Sequence, residues 1–271
     1  MSTHPAIPPE FSRHAGEMLA VAKQVEGHLT DREVRFLALL GAVPTCTGDV
    51  LEIGSFKGKS TVVLAKSAVF AGESRICAVD PLDLPAATDP TEITATALAG
   101  VFYGNLRERG VTEHVEFHPK RSEELAREWR RPLRLLWIDG DHTWSGARND
   151  VEAFAGFLAP GGIIAFHDVL HRYEGPVRAL AELVLSSPKY GACGVVGSIG
   201  WAQYLGDEKL AAPFAAGRDR LRRRLASLIA HAALGAPSSL ADKLLYKIRR
   251  ARVPHAEQSP HEWAGRVLRL P

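Results

Sequence analysis

Between about Asp49 and Leu205, short β-branched apolar runs alternate with segments whose apolar residues recur at three and four positions, and few folds accommodate that alternation. The runs DVLEIG, RICAVD, HVEFHP, LRLLWID, GGIIAFH, ACGVVG and WAQYL read as strands. The segments around Ser60–Ala71, Thr96–Gly110, Ser122–Trp129, Ala147–Leu158 and Gly175–Ser186 read as helices. Such alternation specifies an α/β fold, a Rossmann-like doubly wound sheet of seven mostly parallel strands. Only Ser198, Ile199 and Gly200 separate the last two strands, too few for a parallel crossover, so an antiparallel hairpin is expected at one edge.

The flanks divide the chain into three parts: a helical cap over residues 1–47, the α/β domain over 48–206 and a helical extension over 207–271. The cap rests on apolar periodicity through Met18, Val21 and Val25, then Phe36, Leu37 and Leu40. In the extension, Leu221, Leu225, Leu228 and Ile229 fall on one helical face with arginines on the other. Ser238 or Ser239 is a candidate cap for a further helix with Leu240, Leu244, Leu245 and Ile248.

Charge is uneven. Residues 206–271 hold 13 Lys/Arg against 6 Asp/Glu, a local net of +7, and the remainder of the chain is mildly acidic. The consecutive arginines Arg222–Arg224 have no flanking aromatics, so no nucleic-acid module is expected. The leucine faces suggest a homodimer or higher homo-oligomer, with peripheral contact to an anionic membrane as the other reading. No apolar run reaches the ~18 residues a membrane span requires, and the N-terminus lacks a signal pattern, so a cytoplasmic protein is expected. Cys46, Cys77 and Cys193 are too scattered for a disulfide framework or a zinc knuckle.

After the first strand comes EIGSFKGKST, Glu52–Thr61. It is one residue short of a triphosphate-binding P-loop, and Phe56 stands where a dinucleotide fingerprint has its middle glycine. What remains is Glu52-x-Gly54-x-x-x-Gly58-x-Ser60 before a helix, a turn suited to a carboxylate at a helix N-terminus. Lys57 and Lys59 are expected at the surface. Asp80 ends the second strand, 28 residues after Glu52, where a carboxylate can accept the two hydroxyls of a ribose. A ligand with a ribose and an amino-acid end but no phosphate is S-adenosylmethionine.

The ordered set VLEIGSFKGKST, ICAVDP, LLWIDGDHTW, LAPGG and IAFHD resembles class I S-adenosylmethionine-dependent methyltransferases over roughly residues 48–206. Within them it is similar to the bacterial sugar and macrolide O-methyltransferases, and more distantly to catechol O-methyltransferase. The resemblance implies that Gly54, Ser55 and Ser60 meet the methionine end, Asp80 the ribose and Ser122 the adenine edge, with Gly58 also in the cofactor turn and Glu52 orienting the loop from below.

The acceptor side is expected at the ends of the fourth and fifth strands, which deliver Asp139, Asp141 and His142, and His167 and Asp168. Methyl transfer to an alcohol needs the hydroxyl positioned and deprotonated, by a base or by a divalent cation that lowers its pKa. Asp139 and Asp168 are oxygen donors suited to Mg²⁺ or a similar ion, and the resemblance implies ligands here, giving Asp139, His167 and Asp168 as the metal set. His142, with Asp139, is the catalytic candidate: an imidazole of ordinary pKa near 6.5 can serve as base. Asp141 is expected to be a turn residue. Leu82–Thr94 reads as a mobile loop, and Leu82–Tyr103 is long enough to close as a lid, with Phe102 and Tyr103 as pocket candidates and core packing the alternative for Phe102. The expected function is therefore metal-assisted O-methylation of a sugar, glycoside or related polyhydroxylated natural product. A nicotinamide-dependent oxidoreductase and a non-catalytic cofactor-binding partner are the alternatives.

Overall fold

A computed structural model describes residues 3–83, 94–232 and 240–270. Two helices precede the first strand, α1 (Phe11–Ala22) and α2 (Asp31–Ala42). The start of α2 is set locally by a capping box: Thr30 stands at the N-cap and Glu33 reaches back to its amide and hydroxyl. α1 buries one face, with Met18 inside, whereas α2 is buried nearly all round, Phe36, Leu37 and Leu40 included. Each such side chain contributes about 1.5–3 kcal/mol on removal from water.

The strands are β1 (Asp49–Ile53), β2 (Ile76–Val79), β3 (Val115–His118), β4 (Leu133–Ile138), β5 (Leu158–Phe166), β6 (Tyr190–Val196) and β7 (Ile199–Tyr204). They form one seven-stranded sheet in the order β3-β2-β1-β4-β5-β7-β6. β1 to β5 are parallel, and β7 runs antiparallel to β5 and β6. This is the doubly wound Rossmann-like sheet expected from the alternation. Among the boundaries that differ, two concern the sheet's connections. Ile199 and Gly200 belong to β7, so the hairpin turn is only Gly197 and Ser198, with Gly197 at φ 62°. β5 begins at Leu158 and takes LAPGG into the strand.

The crossovers are α3 (Lys59–Phe70), α4 (Ala95–Glu108), α5 (Ser122–Glu128), α6 (Trp144–Phe154) and α7 (Glu174–Arg178), the last continuing into a π-helical stretch, Ala179–Val184. Trp137 and Trp201 are fully buried on the sheet face covered by α1 and α2. Leu136, Phe166 and Phe154 are fully buried on the opposite face. Because the order reverses at β1 and β4, their C-terminal ends open a crevice, which is where ligands sit in sheets of this kind.

The extension comprises α8 (Glu208–Ala211), α9 (Ala215–Ala232), α10 (Leu240–Ala251) and α11 (Pro260–Ala264). Leu221, Leu225 and Leu228 of α9 are buried in the protein's own second core, so that leucine face is already occupied within the chain. The end of the extension returns to the cap: Trp263 and Val267 are fully buried, and the amides of Arg269 and Leu270 donate to the carbonyls of Thr3 (2.6 Å) and Thr45 (2.9 Å). Ser238 and Ser239 and residues 84–93 of the expected lid lie outside the described residues. Among the described residues no helix is long and apolar enough to cross a membrane.

Candidate active site

A cleft of about 670 Å³ opens over the C-terminal ends of β1, β2, β4 and β5, within the size range of small-molecule sites. The turn after β1 forms one wall. Gly54 has φ 85°, and a Cβ there would overlap the carbonyl oxygen of Asp139, so glycine is what lets the ends of β1 and β4 touch. Phe56 also takes the left-handed conformation, at φ 46°, held by its amide hydrogen bond to Asp80 and by stacking on His28. Gly58, at φ 86°, is the N-cap of α3, and a Cβ there would press on the ring of Phe102.

Glu52 lies beneath this turn, fully buried, as the sequence implied. Its Oε2 accepts from Ser55 Oγ (3.1 Å) and Thr61 Oγ1 (2.5 Å), and Ser60 is a further hydroxyl partner. Burial outweighs these bonds and pushes its pKa up to about 7. Ser55 and Ser60 therefore turn their hydroxyls inward to Glu52, while both residues also line the cleft.

Asp80, at the end of β2, ties the turn down from the side: Oδ2 accepts the amides of Ser55 (2.7 Å) and Phe56 (2.9 Å), and Oδ1 that of Leu82 (2.7 Å). Ser122 begins α5 and donates to Asp150 Oδ1 at 2.5 Å. Asp150, on α6, was not singled out from the sequence. Its carboxyl is buried against Ser122 and Gly140, and burial pushes its pKa up to about 7. Its only sequence signal is its place in the first helix after IDGDHTW, which does not distinguish it from a solvated helix residue.

The opposite wall brings the remaining candidates together. Asp139, Asp168 and His142 converge: His142 Nε2 is 3.3 Å from Asp168 Oδ2 and 3.8 Å from Asp139 Oδ1. Donor atoms of these three residues all lie within 4.8 Å of one another. Asp168 sits at φ 60°, an uncommon conformation for a non-glycine residue, at the turn that ends β5. His142 stacks on Tyr173 with ring centroids 4.4 Å apart, which fixes the imidazole plane. Asp141 accepts from the amide and hydroxyl of Thr143 (both 2.9 Å) and is the turn residue expected.

Of the expected set Asp139, His167 and Asp168, the two carboxylates converge with His142, and His167 contacts both of them. His167 is buried behind them. Its Nδ1 is 3.2 Å from Asp139 Oδ1 and 3.2 Å from Asp168 Oδ1, and its Nε2 faces Glu33 Oε2 at 3.8 Å. A ring with carboxylates at both nitrogens supports the cluster from the rear. Glu33 arrives from α2, far outside the strand ends, and its other oxygen accepts the amide (2.6 Å) and hydroxyl (2.7 Å) of Ser198.

Electrostatics follow from that packing. Burial opposes charge on Asp139, but His167 and His142 outweigh it and hold its pKa at about 2. Burial likewise opposes charge on the two histidines, yet the carboxylates prevail: His142 is raised, and His167 is raised well above the ordinary value.

One peripheral expectation changes, and one left open is decided. Lys57 is buried rather than superficial, its ammonium 2.6 Å from Glu26 Oε1. Phe102 is fully buried and packs on Phe117 and Gly58, a core residue rather than a pocket wall, whereas Tyr103 is exposed.

Residues 51–169 match the family model described as a methyltransferase domain. Solved structures of the same fold include the O-methyltransferase NovP, 12% identical over 72% of this chain and 99% of that one, with a TM-score of 0.60. An O-methyltransferase from Bacillus cereus in complex with S-adenosylhomocysteine is 18% identical over 73% and 92% of the two chains, TM-score 0.50. A putative O-methyltransferase from Klebsiella pneumoniae is 19% identical over 73% and 91%, TM-score 0.51. With a glycine turn and acid-tipped strands opening on one cleft of a doubly wound sheet, residues 51–169 form a methyltransferase domain.

Proposed function

We propose that the protein transfers a methyl group from S-adenosylmethionine to a hydroxyl of a sugar, glycoside or related polyhydroxylated natural product, assisted by a divalent cation such as Mg²⁺. The observation that carries this reading is the juxtaposition, in one cleft, of the Gly54–Ser60 turn with the converging donors of Asp139, His142 and Asp168. The methionine end of the cofactor belongs at that turn, its ribose at Asp80 and its adenine between Ser122 and Asp150. O-methylation is also what the NovP and Bacillus cereus neighbours are described as performing. Around the donors, His28, His171 and Tyr173 give the wall a polar and aromatic character suited to a ligand rich in hydroxyls.

Two carboxylates and an imidazole with donor atoms inside 4.8 Å fit a divalent cation, whose charge the two carboxylates balance. When bound there, a cation lowers the pKa of an alcohol and orients it. The chain's own residues do the rest. His167 and Glu33 keep Asp139 from turning, Tyr173 fixes the His142 plane, and Gly54 brings the cofactor turn against the strand that ends in Asp139.

A second reading uses the same residues without the ion. His142 Nε2, lying between Asp139 and Asp168, would take the hydroxyl proton, and the two carboxylates would stabilise the imidazolium. Transfer of labelled methyl from S-adenosylmethionine to a panel of glycosides and catechols, before and after EDTA with Mg²⁺ or Mn²⁺ restored, separates the two. Full activity after EDTA removes the cation and leaves His142 as base. Methylation of catechols alone removes the sugar acceptor. Thermal stabilisation by NAD but not by S-adenosylmethionine overturns the whole assignment.

A further inference from the structure

α10 is mounted on the protein by the face that a water-facing helix would expose. Tyr246 is its buried residue, with the hydroxyl donating to the carbonyl of Leu170, and Arg249 Nη1 donates to the carbonyl of Ser227 on α9 at 2.7 Å. The opposite arc holds Leu240, Leu244 and Ile248 at successive four-residue steps, with Leu245 at its border. These side chains point to solvent: Leu240 is 84% exposed and Leu244 59%. Seven large apolar side chains are exposed among the described residues, and four of them are on this one helix, so the patch is a concentrated feature.

Lys243 and Lys247 run along one margin of the arc, Arg249 lies beyond the other, and Arg250 is next to the margin lysines; Asp242 is the sole acid of the helix. The adjoining groove, about 470 Å³, is floored by Leu170, Tyr173 and Tyr246 and rimmed by Arg172, Lys243 and Lys247. On α9, Arg220, Arg223 and Arg224 are exposed and add to the same sign.

We propose that this face docks on an anionic lipid bilayer. An exposed apolar arc bordered by lysine and arginine is what an interfacial helix needs: the arc enters the acyl boundary and the cations meet the lipid phosphates. Charge decides against a second copy of the chain. A two-fold contact through the arc would set two cationic margins against each other, with one acid per helix to offset four bases. His171 and Tyr173 line both the groove and the catalytic cleft, so docking brings the cleft beside the lipid surface. The docking does not depend on which acceptor is methylated.

Co-sedimentation of the full chain with vesicles of phosphatidylcholine, alone or mixed with phosphatidylserine, tests it. Binding is expected only with phosphatidylserine, and to weaken as salt is raised. Lys243→Gln with Lys247→Gln should weaken it on the order of 30-fold, and Leu244→Glu with Ile248→Glu should remove it. Because these positions are exposed, both variants should keep the wild-type thermal midpoint and the thermal shift with S-adenosylmethionine, which excludes misfolding as the cause. No binding to phosphatidylserine vesicles, or equal binding by the glutamate variant, overturns the proposal. So does a wild-type dimer in sedimentation velocity that the glutamate variant converts to monomer, since a second copy would then cover the face.

Discussion

Glu33 and His167 face each other at 3.8 Å, although one belongs to the helical cap and the other to the end of the fifth strand. Both are almost wholly buried, and Glu33 is held below the usual carboxylate range: burial opposes its charge, but bonds from His167, Thr30 and Ser198 outweigh that cost. The cap is thereby wired to the acid cluster, since the same imidazole contacts Asp139 and Asp168.

Glu33→Ala leaves a buried charged imidazole and the Ser198 amide without their partner. The expected loss is about 3–5 kcal/mol of stability, the range for breaking a buried ion pair on one side. Glu33→Gln, which keeps an acceptor for Ser198, should lose less. Equal thermal midpoints for the two variants and wild type would show that the contact contributes nothing.

Asp139→Ala should abolish methyl transfer, a fall of at least about 100-fold, with a smaller fall for His142→Ala. The fold should survive, because Asp139 faces the cleft rather than either core. The check is a transfer assay beside a thermal shift with S-adenosylmethionine: retained activity in Asp139→Ala removes it from the reaction.

Glu52 and Asp150 make stability fall with rising pH. Each carboxyl has its folded pKa raised, to about 7 from ordinary values of 4.5 and 3.8. Below the ordinary values both states are protonated and nothing is lost. Between roughly pH 4 and 7 the unfolded chain ionises first, so stability declines, and above about 7 the loss is complete. At about 1.36 kcal/mol per unit the decline is on the order of 3 kcal/mol for Glu52. Glu52→Gln and Asp150→Asn should each flatten the midpoint-against-pH curve in that window, and an unchanged slope in both would refute the assignment.

Gly54→Ala should destabilise the domain by more than about 2 kcal/mol, because the added methyl meets Asp139 backbone and the φ is left-handed. Gly72→Ala, at φ 88° with open space around it, isolates the conformational part of that cost. Denaturant midpoints of the two variants give the difference, and equal midpoints would show that the β1–β4 contact costs nothing to disturb.

The sequence by itself determined the sheet, its antiparallel edge and the strand ends at which the acids collect. Those features are local: period-two and period-3.6 patterning, glycines at fixed offsets, and carboxylates placed last in their strands. Only the tertiary structure decided which side chains meet. His142 meets Asp139 and Asp168 from one side and His167 contacts both from the other, with Glu33, 134 positions earlier than His167, at its far nitrogen. Asp150 enters the cleft because α6 packs it over Gly140 and Ser122, a contact no periodicity encodes. The tail divides the same way. Its leucines were legible as helical faces, but that α9 spends its face inward and α10 turns its own outward depends on what each helix docks against, which only the folded chain determines.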